Sequence, residues 1–298
     1  MTCDTHVHFF SPGFFDALGA AKGLPADGRV QFVARALGWD APESVTALAD
    51  RWVDELDRQG VARAAIIASV PGDEAAVAAA VKAHPTRFVG FYMLDPTAEG
   101  PRDRISWAGA HGLRGVCLFP AMHRFPLYGP EAARAVEMAA ALKGTAVFVH
   151  CGVLTVGARA RLGLPSQFEM RYGNPLDLQA LATAHPGVPF ILPHFGAGMF
   201  REALMLADAC PNVYFDTSSS NRWIRYTKGL TLTDVFRTAL DVVGSRRLLF
   251  GTDSSYFPRG WQLDVLDTQW AALGAAGATD TEIADVMFGN FQRLFPEA

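Results

Sequence analysis

Asp4-Thr5-His6-Val7-His8 closes the first apolar run of the chain. Side chains alternate along an extended strand, so two histidines two residues apart lie on one face. Two imidazoles side by side suit a divalent metal such as zinc. Three later apolar runs end with the same kind of chemistry: Val147-Phe148-Val149-His150, Ile191-Leu192-Pro193-His194 and Leu249-Phe250-Gly251-Thr252-Asp253. Four such endings, far apart in sequence, imply a site assembled at one end of a sheet or barrel.

Eight strand-like runs can be read along the chain: 3–8, 64–70, 88–94, 113–119, 146–151, 190–194, 213–216 and 248–253. They are apolar on both faces, as in a parallel sheet covered by helices. Ala- and Leu-rich segments alternate with them. The segments at 130–142 and 175–184 begin with proline, and 231–243 and 279–294 begin with threonine caps. Eight β/α units in a single domain spanning residues 1–298 match a (β/α)8 TIM barrel. A doubly wound sheet is the competitor, but the glycine-rich phosphate turn after its first strand is missing. In the barrel the active site lies at the C-terminal strand ends, where His6, His8, His150, His194 and Asp253 fall. The long insertion after strand 1 (residues 9–63), with a helix-like stretch at 43–59, is expected to wall the pocket.

Composition narrows the function. The 298 residues are 50% hydrophobic with a net charge of −4 and no basic run, which disfavours disorder, nucleic acid and anionic membranes. No apolar stretch is long enough to span a bilayer, and no basic-then-apolar leader is visible. Cys3, Cys117, Cys151 and Cys210 are widely spaced and read as buried, reduced thiols, so a cytoplasmic protein is expected. The sequence allows a homodimer without specifying one.

The ordered set Asp4-Thr5-His6-Val7-His8, Phe148-Val149-His150-Cys151-Gly152, Pro193-His194-Phe195-Gly196-Ala197-Gly198, Asn212 to Ser218 and Phe250-Gly251-Thr252-Asp253 resembles the amidohydrolase superfamily in its amidohydrolase-related branch. That branch includes aminocarboxymuconate-semialdehyde decarboxylase, resorcylate-type decarboxylases and lactone hydrolases. The resemblance implies metal ligation by His6, His8, His150 and Asp253. It also implies proton transfer by His194, and by Asp253 close to the metal. Strands 4 and 5 lack the lysine that bridges two ions in binuclear members, so one divalent ion is expected, zinc first. A zinc-bound water, its pKa lowered toward ~7, would serve hydrolysis of a lactone, ester or amide. The same shell would serve a non-oxidative decarboxylation of an aromatic or unsaturated acid. A barrel keeping the metal for structure alone is a third reading, disfavoured because it needs no proton carrier such as His194.

Substrate contacts are expected on strand-end loops: Phe9, His123, Arg124, Arg222 and Tyr256, with Arg159 and Arg161 as further cations and Phe14, Phe15 and Trp52 as further aromatics. Several arginines beside a metal pocket suit a small anionic substrate.

Overall fold

A computed structural model describes residues 1–165, 168–219 and 221–297. Eight strands form one parallel sheet in sequential order: β1 (Thr2–Phe9), β2 (Val61–Ala68), β3 (Phe88–Leu94), β4 (Gly115–Leu118), β5 (Ala146–Val149), β6 (Phe190–Leu192), β7 (Val213–Asp216) and β8 (Leu248–Leu249). The sheet closes on itself where β1 meets the chain beyond β8. There Thr5 N donates to Phe250 O at 2.9 Å, Asp253 N to His6 O at 2.9 Å, and His8 N to Ser254 O at 2.7 Å. The buried Asp4 carboxylate reinforces this seam. It accepts from His6 N at 2.8 Å, Thr252 N at 3.1 Å and Trp261 Nε1 at 2.7 Å, and from the Thr252 hydroxyl. Burial pushes its pKa up to about 6 despite these bonds.

Strand alternation divides the core into two layers. Cys3, Ala65, Ile67, Phe91, Cys117, Phe148, Ile191 and Leu249 pack with Phe291 and Phe295 near the end of the chain to fill the barrel. Their neighbours Ile66, Tyr92, Leu118, Val149 and Phe215 face the surrounding helices, packing with Val77, Ala132 and Val235. β1 carries an irregularity: Asp4 pairs with Ala64 but Val7 with Ile66, so three steps on β1 match two on β2. This bulge reverses the alternation. Without it, Thr5 and Val7 would continue the inward row begun by Cys3. With it, His6 and His8 turn inward and Val7 and Phe9 outward.

The insertion after β1 holds three helices: α1 (Pro12–Ala21), α2 (Arg29–Leu37) and α3 (Val45–Arg58). Ser11 caps α1, its Oγ accepting from Gly13 N at 2.9 Å, and Pro12 opens the first turn. Phe14, Phe15, Leu18, Val33 and Leu37 form a satellite core with Ala158 and Leu162 from the β5–β6 connection. The insertion is thereby docked across the barrel mouth. Among the described residues no helix is long and apolar enough to cross a membrane.

Several strands end a few residues before the sequence reading places them, and two of these ends pass into left-handed backbone. The run at 190–194 stops being a strand at Leu192, and His194 and Phe195 adopt left-handed backbone with φ of 54° and 52°. The run at 248–253 is a regular strand only to Leu249, and Asp253 has φ 59°. Left-handed backbone costs non-glycine residues roughly 1–2 kcal/mol each. Both strained segments carry candidate site residues, which is where such strain concentrates.

Candidate metal centre and active site

His6 and His8 form the centre of the site. Their Nε2 atoms are 3.3 Å apart, and Asp253 Oδ1 lies 3.1 Å from His8 Nε2 and 3.6 Å from His6 Nε2. Ligand bonds of about 2.0–2.1 Å set neighbouring corners of a tetrahedron about 3.3 Å apart. The three atoms therefore sit at the separations that one divalent ion requires.

The far side of each ring is anchored. His6 Nδ1 lies 2.6 Å from Asp216 Oδ2, and His8 Nδ1 lies 2.7 Å from Ser69 Oγ. Such outer contacts fix which nitrogen a histidine presents to a metal. Asp216 is fully buried at the end of β7, and Gly251 is the reason it fits. A Cβ at Gly251 would stand 2.4 Å from Asp216 Oδ1 and 3.0 Å from His6 Cβ.

The charges follow from this packing. Burial works against a charged His6, but Asp216 first, then Asp253 and Asp4, raise its pKa to about 9. Burial lowers the pKa of His8 and pushes that of His150 well down, the latter helped by His194 and His6. Burial opposes ionisation of Asp253, yet the hydrogen bond from His8 and the nearby histidines hold its carboxyl well below the usual range.

His150 and His194 complete a ring of imidazoles. The His194 ring is 5.2 Å from that of His6 and 5.4 Å from that of His150. His150 is buried, its Nδ1 has no hydrogen-bond partner among the described residues, and it stands outside the convergent trio of His6, His8 and Asp253. Gly152, at φ 73°, allows the β5 and β6 loops to touch. A Cβ there would lie 2.3 Å from the carbonyl oxygens of Gly196 and Ala197. Cys151 points to the outer layer, as alternation requires.

His6, His8, His150, His194 and Asp253 line a cavity of about 600 Å3. Phe10, Phe14 and Trp39 from the insertion form one wall. Phe10 stacks on Phe14 at 3.8 Å, and Trp39 lies 5.5 Å from Phe10. Arg161, Arg222, Arg225 and Tyr226 line the cavity from the loops after β5 and β7. No ion pair joins any of these three arginines to a carboxylate among the described residues.

Several expected contacts lie elsewhere. Phe9 is fully buried among the outer-layer residues, because it is one residue beyond the inward-facing His8. Its place at the cavity is taken by Phe10 and Phe14. Tyr256 stacks on Trp39 at 4.2 Å and faces a neighbouring recess of about 250 Å3, which Phe15 also lines. Trp52, on the buried face of α3, packs against Phe257 at 4.8 Å. His123 and Arg124 end a short helix after β4 and do not line the cavity; burial lowers the pKa of His123. Arg159 binds the Pro165 carbonyl at 3.3 Å.

The sequence reading missed Asp216 and Ser218 as site residues, although Val213-Tyr214-Phe215-Asp216 has the same apolar-run-plus-acid form that marked Asp253. It also missed Ser69, Phe10 and Trp39, which only the folded insertion and strand ends bring to the site.

An H-x-H pair on β1 and an aspartate beyond β8 thus meet at the mouth of a closed parallel barrel. The amidohydrolase family profile matches residues 3–296, and the chain belongs to that family. Among solved structures, an uncharacterised TIM-barrel protein from Bordetella bronchiseptica superposes with a TM-score of 0.67 at 17% identity, covering 99% of this chain and 98% of that one. An amidohydrolase from Burkholderia multivorans with bound zinc gives 0.65 at 17%, covering all of both chains. A probable 2-pyrone-4,6-dicarboxylic acid hydrolase from Acinetobacter baumannii, with citric acid bound, gives 0.61 at 15%, covering 99% and 98%. These similarities establish the shared fold. Protein fluG of Emericella nidulans is 32% identical over an alignment of 133 residues that covers 41% of this chain and 15% of that protein's length.

Proposed function

We propose that this protein is a metal-dependent hydrolase of small anionic carbonyl compounds (lactones, esters or amides) and uses one divalent ion, zinc first. The convergence of His6 Nε2, His8 Nε2 and Asp253 Oδ1 at tetrahedral spacing carries the reading. The zinc bound by the Burkholderia relative supports it.

His6, His8 and Asp253 would hold the ion, with His150 lining the same cavity as the further ligand that the sequence pattern suggests. A divalent cation there supplies Lewis acidity and makes water a better acid at neutral pH. Asp253, kept ionised by its histidine neighbours, accepts a proton at its carboxylate. His194 takes up or releases a second proton within the same cavity. Arg161, Arg222 and Arg225 hold the anionic end of the substrate, which a planar guanidinium can do with paired hydrogen bonds. Phe10, Phe14 and Trp39 present a flat apolar wall to the remainder and exclude water. The citric acid in the Acinetobacter relative, and the lactone dicarboxylate in its name, support an acidic substrate.

The test is a panel of carboxylated lactones, esters and amides offered to chelator-treated enzyme with and without added zinc, alongside aromatic acids monitored for CO2. Zinc-dependent hydrolysis supports the proposal. Release of CO2 as the only activity would replace it with a decarboxylase, and full turnover by the chelated enzyme would remove the metal from the mechanism.

A further inference from the structure

His194 is the one cavity histidine whose outer nitrogen meets a hydroxyl placed between it and a buried carboxylate. His194 Nδ1 lies 2.9 Å from Ser218 Oγ and 3.5 Å from the Ser218 carbonyl oxygen. Ser218 is fully buried. Its Oγ is also 3.1 Å from Asp216 Oδ2 and 3.1 Å from His6 Nδ1. A serine hydroxyl has one proton to give, and these three neighbours compete for it.

The allocation can be derived. His6 Nδ1 sits 2.6 Å from Asp216 Oδ2, an acceptor-only carboxylate, so this nitrogen carries a proton. His6 therefore cannot accept from Ser218. That leaves the hydroxyl two choices, Asp216 or His194. A hydrogen bond to a carboxylate is roughly twice as strong as a neutral one. Asp216 is fully buried and needs its acceptor sites filled, so the hydroxyl proton goes to Asp216. Ser218 Oγ is then an acceptor toward His194, and Nδ1 must donate. The Ser218 carbonyl on the same side of the ring, at 3.5 Å, lies too far to fix the tautomer without the hydroxyl.

We propose that Ser218 is a positioning residue that fixes His194 as the Nδ1–H tautomer, leaving Nε2 as an unprotonated proton acceptor. This rests on the proposed function for the role of His194 and sharpens it. In its resting neutral form His194 is a base, not a donor that polarises a carbonyl. The left-handed backbone at His194 and Phe195 holds the ring where Ser218 can reach it. The path Asp216–Ser218–His194 also couples the proton carrier to the carboxylate that orients His6. Metal holding and proton transfer thus share one buried acid.

The direct test needs no substrate. Protein labelled with 15N-histidine is examined by long-range 1H–15N NMR at about pH 8, above the ordinary imidazole pKa. It is recorded metal-free and zinc-loaded, and the His194 signals are assigned by their loss in His194→Asn. The expected result in the unaltered enzyme is a protonated Nδ1 and a bare Nε2. Ser218→Ala should convert this to a mixture of tautomers. A proton on Nε2 in the unaltered enzyme would overturn the proposal, as would an unchanged tautomer in Ser218→Ala. If that variant does not fold, the spectrum of the unaltered enzyme decides alone. With an active substrate in hand, Ser218→Ala should lower kcat about tenfold and move KM by less than about twofold, and an unchanged kcat counts against the role. Full turnover by His194→Asn would instead sink the proton-carrier reading, while the NMR result still judges the tautomer.

Discussion

Replacing Asp216 with asparagine should weaken divalent-ion binding without touching any ligand of the ion. In the unaltered protein the carboxylate accepts from His6 Nδ1 at 2.6 Å, from Ser218 N at 2.8 Å on its other oxygen, and from Ser218 Oγ at 3.1 Å. Asparagine keeps one acceptor oxygen and exchanges the other for a donor. If its oxygen serves His6, its NH2 faces the Ser218 N–H across 2.8 Å, donor against donor. Gly251 packs too closely for the side chain to slide away. Two penalties follow. Changing a charge-assisted bond on His6 to a neutral one costs about 1.5–2 kcal/mol of ligand orientation and basicity, or ~10- to 30-fold in affinity. The opposed donors cost the metal-free fold a further ~1–3 kcal/mol. Competition between the protein and a zinc chelator of known affinity measures the first, and denaturant unfolding of metal-free protein measures the second. If Asp216→Asn bound zinc within about threefold of the unaltered protein, Asp216 would not set the His6 ligand, and this account of the outer contacts would fail.

His194→Asn should keep its zinc but lose turnover by ~100-fold or more, and release of the ion as readily as from His150→Ala would make His194 a ligand instead. Arg222→Ala and Arg161→Ala should each raise KM for an acidic substrate by about tenfold while sparing an uncharged analogue, and effects below about threefold on every active substrate would refute the anionic site. Asp73 supplies a pH dependence away from the metal: burial pushes its carboxyl up to about 6, although the Ser11 hydroxyl donates to it at 2.5 Å. The folded state then binds the proton more tightly than the unfolded chain, so Asp73 makes stability fall as pH rises from about 4 to about 6. Asp73→Asn should flatten that part of the denaturation profile and stabilise the protein at pH 7 by ~1 kcal/mol after allowance for partial exposure, and a profile parallel to the parent's would contradict it.

The barrel and the approximate place of the site could be read from local pattern alone. Apolar runs bounded by turn signals identify strands because a strand buried on both faces must be apolar throughout. All eight are present, and His6, His8, His150, His194 and Asp253 do gather at one end, because parallel strands in a closed barrel put every C-terminus on the same side. Spacing two apart put His6 and His8 on a common face without any knowledge of their surroundings.

Which face that is, tertiary structure decided. Cys3 points into the barrel, and simple alternation would then send His6 and His8 out among the helices. Only the one-residue bulge between Asp4 and Val7 turns them inward, and a bulge is a property of strand pairing that one strand's sequence does not display. The same step faces Phe9 outward and leaves Phe10 and Phe14 as the aromatic wall. Asp216, Ser218 and Ser69 share the reason. Each acts by touching a histidine 24 to 212 residues away in sequence. The sequence determined which groups are available and roughly where the chain delivers them. Their hydrogen bonds, and hence which ring nitrogen faces the cavity, were decided by barrel closure, because angstrom-scale contacts between distant strands follow from register and packing rather than from the residues of either strand alone.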